Sequence, residues 1–206
     1  MPGRLFQTRG AREVAAFLGV AEVPDDPPRR NIAPGQEVTV RTGRTGAGAG
    51  RARWGLIPVG RVNARGRPVM ETIVNARSET VFDKSAFDGV GRAVVPAEGW
   101  YEWTGEKGRK TAWRITRADG GLLAFAAICD VWRAPGGREV PQVATITCAP
   151  NADVAPIHHR MGAILEAGEI EAWLEGSEAE AAALLRPLAD GILRVEEARG
   201  VDWSAP

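Results

Sequence analysis

Cysteine is scarce in this 206-residue chain: Cys129 and Cys148 are the only two, and each sits inside an apolar, strand-like run. Without CxxC spacing they make neither a disulfide framework nor a thiolate metal site, and they read as buried thiols of a reducing, cytoplasmic compartment. Long hydrophobic runs are missing too. No stretch approaches the roughly 20 apolar residues that a membrane span requires, so no membrane partner is expected. Arg4, Arg9 and Arg12 appear early, but no apolar h-region follows them, and no signal peptide is predicted. Histidine is limited to the adjacent pair His158 and His159. A zinc centre needs more nitrogen or sulfur ligands at compatible spacing, so neither metal nor cofactor is expected. The Gly-rich stretch from Thr42 to Gly50 lacks GxxxxGK[ST] and reads as a surface loop rather than a phosphate loop.

Lysine is absent from Met1 to Arg77, where 13 Arg oppose 6 acids for a charge of +7. From Glu166 to Pro206, 3 Arg oppose 10 acids for −7, so a formal net charge of zero hides a strong asymmetry. An arginine-only basic half suits phosphate, which the guanidinium fork meets bidentately. Arg in place of Lys also fits a GC-rich coding bias, and charge alone does not decide for nucleic acid. Hydrophobic content of 44% and charged content of 25% are those of an ordinary globular protein. No linker or internal repeat breaks the chain, which predicts a single domain over residues 1–206.

The pattern along the chain is one of short strands and Gly-rich turns. Met1 to Arg4 is too short and glycine-containing for regular structure, and Ala11–Leu18 predicts a helix with Val14, Phe17 and Leu18 on one face. Asn31-Ile32-Ala33-Pro34-Gly35 predicts a tight turn. Strands are predicted over Glu37–Arg41 and Ala52–Ile57, then a long connection to Val69. A short helix is expected from Ser78 or Thr80 to Phe87. Further strands are expected at Ala93–Ala97, Thr111–Thr116, Leu122–Val131, Val140–Cys148 and Ile192–Val195, with helices at Glu166–Leu174 and Ser177–Leu185. This is an α+β domain: a curved, mostly antiparallel sheet or open barrel flanked by short helices.

Gly99-Trp100-Tyr101-Glu102-Trp103 stands at the centre of that pattern. Alternation places Glu102 on the face of Trp100 and Trp103 on the face of Tyr101. A carboxyl among aromatic rings loses hydration, and its pKa rises toward the range useful for proton transfer. A strand-end glutamate at the surface fits the same residues. In Pro156-Ile157-His158-His159-Arg160-Met161-Gly162, an extended backbone would point the two imidazoles to opposite faces. One of them would then serve as an acid/base or hydrogen-bonding group, or else cap a turn.

Five segments occur together in order: Asn31–Gly35, Trp54-Gly-Leu-Ile-Pro58, Asn75-Ala-Arg-Ser-Glu-Thr80, Gly99–Trp103 and Ile157-His-His-Arg-Met161. That set resembles the SOS-response-associated peptidase (SRAP) family, whose members sense abasic sites in single-stranded DNA, and the resemblance runs from Gly3-Arg4 to about Leu165. It implies a single domain on a curved, mostly antiparallel sheet, acting as a monomer on single-stranded DNA that contains abasic sites. By the same resemblance Asn75 would hydrogen-bond the opened sugar, and Glu102 and His158 would be the acid/base pair beside the aldehyde. Arg4, Arg77 and Arg160 would hold phosphates, while Pro34 and Trp103 would lie against flanking bases.

One position departs from that family. Its members lose Met1 and expose a cysteine whose amine and thiol together trap the aldehyde, whereas the second residue here is Pro2. Three readings remain open. Pro2 could present a secondary amine that condenses with the aldehyde, with strand cleavage as one outcome. The domain could bind damaged strands without covalent chemistry. It could act as a peptidase on other proteins, although no Ser-His-Asp or Cys-His arrangement supports more than self-removal of Met1.

Overall fold

The computed structural model describes residues 2–43, 48–58, 72–106, 108–134 and 136–205. The centre of the Gly-rich loop and the long connection to Val69 lie outside these residues. Five strands form a closed ring: β3 (Glu37–Thr42), β4 (Ala49–Trp54), β6 (Gly91–Ala97), β9 (Leu123–Arg133) and β10 (Glu139–Cys148). Their order is β10-β4-β3-β6-β9, and β9 pairs back with β10. A barrel of this kind leaves no open edge among its own strands. Three short strands extend it: β5 (Asn75–Arg77) and β11 (Met161–Gly162) on β10, and β12 (Ile164–Leu165) on β9. The pairing is antiparallel except where β10 meets β4 and β5, which run parallel to it.

A second sheet of five strands lies against the barrel. It is built from β1 (Arg4–Gln7), β2 (Arg29–Ile32), β7 (Gly99–Thr104), β8 (Thr111–Arg117) and β13 (Leu193–Glu197). Leu123 to Ile128 of β9 are all buried, because both faces of that strand are covered. One side fills the barrel; on the sheet side Phe125 meets Trp100 edge-on, with centroids 5.7 Å apart. Helices α1 (Ala11–Leu18), α2 (Ile170–Glu175) and α3 (Glu178–Leu184) close the periphery. Trp173 of α2 is fully buried and its indole N–H donates to the Ala93 carbonyl at 2.8 Å. Ser177 and Glu180 form a capping box at the start of α3, which is why that helix begins where the sequence predicts.

Several local expectations change. The chain forms a strand from Arg4, because Leu5 and Phe6 are buried against the sheet. Asn31 and Ile32 belong to β2, so the tight turn is confined to Ala33–Gln36. The helix expected to end at Phe87 is a series of turns followed by a 3₁₀ turn at Ser85–Phe87. Val81 and Phe87 are both buried, and six residues of α-helix would set them roughly 120° apart. Gly168 falls in a 3₁₀ turn, so the helix expected from Glu166 begins at Ile170.

The chain passes from barrel to sheet at Glu98 and Gly99. Glu98 accepts hydrogen bonds from the Thr8 backbone and hydroxyl, which ties the corner to the end of β1. A Cβ on Gly99 would stand 2.1 Å from the Ile115 carbonyl oxygen and 2.6 Å from the Phe6 ring. Gly99→Ala must therefore push backbone apart, and a loss of about 3 kcal/mol is expected from overpacking. Urea unfolding should show a lower midpoint at an unchanged m-value.

Candidate functional site

The N-terminal segment is held between the sheet and the barrel extension. Antiparallel pairing of β1 with β7 sets Arg4 opposite Tyr101 and Leu5 opposite Trp100, so one further step sets Gly3 opposite Glu102. Pro2 is buried at the end of this path. Its carbonyl accepts a hydrogen bond from Asn75 Nδ2 at 3.1 Å, and its Cγ lies 3.5 Å from where a Cβ on Gly162 would stand. Thr145 Oγ1 donates to Asn75 Oδ1 at 2.6 Å, which fixes the amide so that its N–H points at Pro2. In the parallel pairing Asn75 lies opposite Thr145 and Arg77 opposite Thr147. Asn75 and Arg77 therefore share one face of β5, while Ala76 turns into the core at 3% exposure.

Glu102 is buried at 3% exposure, which removes the surface reading. Burial pushes its carboxyl up to about 7, with the charge of the amino terminus and the Trp100 indole pulling the other way. His158 moves in the opposite direction. Burial lowers its pKa, and the charges of the amino terminus and His159 lower it further. His158 Nδ1 lies 3.0 Å from the Arg160 backbone nitrogen and 3.1 Å from the Arg160 carbonyl oxygen, so Arg160 offers a backbone partner to either tautomer of the ring. Near pH 7 the Glu102 carboxyl can therefore exchange a proton. The imidazoles do not point to opposite faces. Their rings stack with centroids 4.4 Å apart, because Val154 to His158 is a series of turns rather than an extended segment.

The predicted contact residues stand at different degrees of readiness. Arg77 is exposed and has no carboxylate partner among the described residues. Arg4 Nη1 donates to Asn31 Oδ1 at 2.7 Å, and Asn31 is itself buried. The Arg160 guanidinium is engaged by Glu79 and by the Thr147 carbonyl, and that pairing pulls the Glu79 carboxyl down to about 2. Pro34 is exposed in the turn after β2, and the Trp103 ring is packed by Trp203 at 5.3 Å. The thiols stay outside this arrangement: burial pushes Cys129 and Cys148 each up to about 11, so neither is a thiolate near pH 7.

Sequence reasoning missed four supporting residues, namely Thr145, Gly162, Asn31 and Glu79. A signal existed for the first, since Thr145 and Thr147 are hydroxyls two apart in a fully buried apolar strand and such hydroxyls need partners. Asn31 and Glu79 stand inside segments already singled out.

These features define a β-barrel domain whose N-terminal segment pairs with β7 and is held at Pro2 by Asn75 of β5. The chain matches the family described as SOS response associated peptidase (SRAP) over residues 1–199 and belongs to it. It is 32% identical over 152 residues to the abasic site processing protein YoqW of Bacillus subtilis (strain 168), covering 71% of this chain and 66% of that protein. Against the abasic site processing protein YedK of Escherichia coli (strain K12) the identity is 30% over 183 residues, 84% of this chain and 79% of that protein. The abasic site processing protein HMCES of Gallus gallus is 34% identical over 166 residues, 66% of this chain and 48% of that protein. The chain thus spans just under two thirds of YoqW and about half of HMCES. A crystal structure of a protein from Bacteroides thetaiotaomicron superposes with a TM-score of 0.81 at 27% identity, covering 96% of this chain and 92% of that one.

The raised Glu102 pKa has a sign that stability measurements can read. A carboxyl at about 7 when folded and 4.5 as reference binds more protons when folded, so its contribution is present below 4.5 and lost as pH rises through 7. Two and a half pKa units correspond to on the order of 3 kcal/mol. The stability difference between Glu102→Gln and the parent should therefore shift in favour of the variant by about that much between pH 4.5 and pH 8. Urea unfolding at both pH values checks this, and a constant difference would mean that Glu102 is hydrated.

Proposed function

We propose that this chain processes abasic sites in single-stranded DNA, condensing an N-terminal amine at Pro2 with the aldehyde of the ring-opened sugar. The observation that carries the reading is the placement of Pro2, buried with its carbonyl held by Asn75. YoqW, HMCES and YedK, to which the chain is similar, are abasic site processing proteins, which supports abasic sites as the target.

Once Met1 is removed, the Pro2 nitrogen is a secondary amine; an α-amino group has a pKa of about 7.7–8.0, so a useful neutral fraction exists near pH 7.5. That nitrogen attacks the aldehyde carbon, and Glu102 gives its proton to the hydroxyl, which leaves as water. The product is an iminium ion whose charge cannot be lost from nitrogen, because proline has no second proton there. It acidifies the adjacent sugar carbon, and the carboxylate form of Glu102 can accept that proton. The 3′ phosphate then leaves by β-elimination, or water returns and releases the sugar. Asn75 donates a hydrogen bond to a sugar oxygen, and the His158 ring offers Nε2 as a second polar partner. Arg4 and Arg77 hold phosphates, and Arg160 reaches one only by exchanging Glu79 for it. Pro34 and Trp103 offer surfaces to flanking bases, which aromatic faces stack on without sequence preference.

Borohydride should trap a protein–DNA conjugate from a chain that begins at Pro2 and an abasic single strand. Untreated samples should show slow scission and no lasting adduct. Pro2→Cys should convert this into a long-lived crosslink, because a thiol beside the amine closes a stable ring. Good binding with no trapped species overturns the covalent reading and leaves damage recognition without chemistry.

The phosphate contacts have a separate readout. Affinity for single strands should fall with salt, and Arg77→Gln should flatten the log–log slope by about 0.7. Titration at several salt concentrations by fluorescence anisotropy measures it, and an unchanged slope removes Arg77 from the interface.

A further inference from the structure

The last described residues cross the face on which the proposed strand would lie. The Trp203 ring centroid is 5.3 Å from that of Trp103 and 5.0 Å from that of Tyr101, edge-on to the latter. Asn31 Nδ2 donates to the carbonyls of Asp202 at 3.2 Å and Ala205 at 2.7 Å, while its Oδ1 holds Arg4. The Ser204 backbone N–H and hydroxyl both donate to Asp202 Oδ1, which folds the segment into a turn and keeps a carboxylate beside the aromatic ring. The family match stops at residue 199, so this segment lies outside the part of the chain that the family shares.

We infer that residues 201–205 are a built-in competitor for nucleic acid, with Trp203, tilted 60° to Trp103, covering the ring on which a base would otherwise stack. This rests on the strand-binding reading given above. The segment carries an aromatic surface and a carboxylate, as a nucleotide carries a base and a phosphate, and it is held by the same Asn31 side chain that holds Arg4. The hold is also of a kind that a strand can displace. Trp203 keeps 38% of its surface exposed, and the segment forms no ion pair with the barrel or the sheet among the described residues. Among the described residues, its hydrogen bonds to the rest of the domain come from the single side chain of Asn31. The segment sets the threshold for binding: an intact strand with few stacked bases competes poorly, and a strand that also engages Arg77 and Pro2 displaces it.

The test compares the full chain, Trp203→Ala and a chain ending at Gly200 for binding to an oligothymidylate without an abasic site. Fluorescence anisotropy should show at least fivefold tighter binding for both variants. In the full chain, hydrogen exchange of residues 201–205 should accelerate at saturating oligonucleotide. Equal affinity in all three proteins overturns the competitor while leaving strand binding intact. Weaker binding of Trp203→Ala also overturns it, since Trp203 would then be part of the interface. If no form binds single strands, the strand-binding reading itself fails and the competitor fails with it. Hydrogen exchange on the full chain needs no substitution, so a misfolded variant does not rescue the inference.

Discussion

The double engagement of β10, antiparallel to β9 and parallel to both β4 and β5, is the constraint on which the rest of the site depends. Closing the ring through β10 leaves Thr145 and Thr147 without solvent, so their hydroxyls must find partners within the protein. Thr145 takes the Asn75 side chain and Thr147 takes the Ala76 carbonyl, and β5 is thereby held in register. Through the same strand Thr147 gives its carbonyl to Arg160, whose backbone then orients His158. One closed barrel thus fixes an amide, a guanidinium and an imidazole that lie far apart along the chain. Barrel side chains that move together could not place these groups independently. Displacing any one of them needs a break in the hydrogen-bond chain rather than a rotamer change.

The second sheet contributes the opposite kind of group. Glu102 stands on a strand whose first four residues are all buried, and its pKa shows that burial outweighs every compensating interaction. A carboxyl in that position destabilises the fold at neutral pH. Sheet packing tolerates the cost because Trp100 on the same face adds a large apolar surface, fully buried against Phe125. The result is a group that exchanges protons near neutrality only while the sheet stays closed over it. The raised pKa and the local instability come from the same desolvation.

How much of this was legible in the sequence depends on whether the interaction is local. Alternation through Trp100 to Trp103 and the capped start of α3 follow from neighbouring residues, and both were readable. The barrel class followed from the count of short strands and Gly-rich turns. Whether Glu102 faces solvent was not readable, because alternation along Gly99–Trp103 groups its residues by face without saying which face is covered. The parallel pairs of β10 were hidden as well: nothing in Ala49–Trp54 or Asn75–Arg77 signals a partner near residue 145. The stacked histidines required knowing that Val154 N-terminal to them starts a turn. Roles for Asn75, Arg77 and Arg160 came from the ordered segments as a set, since each residue alone is unremarkable.

Residue 2 is held differently from the groups around it. Asn75 grips the Pro2 carbonyl, a backbone atom that every amino acid supplies. Gly162 is glycine because a Cβ there would strike the Phe125 ring at 2.4 Å, so the space next to Pro2 is set by the barrel core and not by Pro2 itself. Glu102, Asn75 and His158 are fixed by their side chains and by what covers them. A change at any of these alters burial or breaks a hydrogen bond, with a cost in stability. A change at position 2 alters the chemistry of the terminal amine and leaves the pairing of β1 with β7 as it was. The scaffold therefore holds residue 2 through its backbone, while the polar groups around it are held through their side chains.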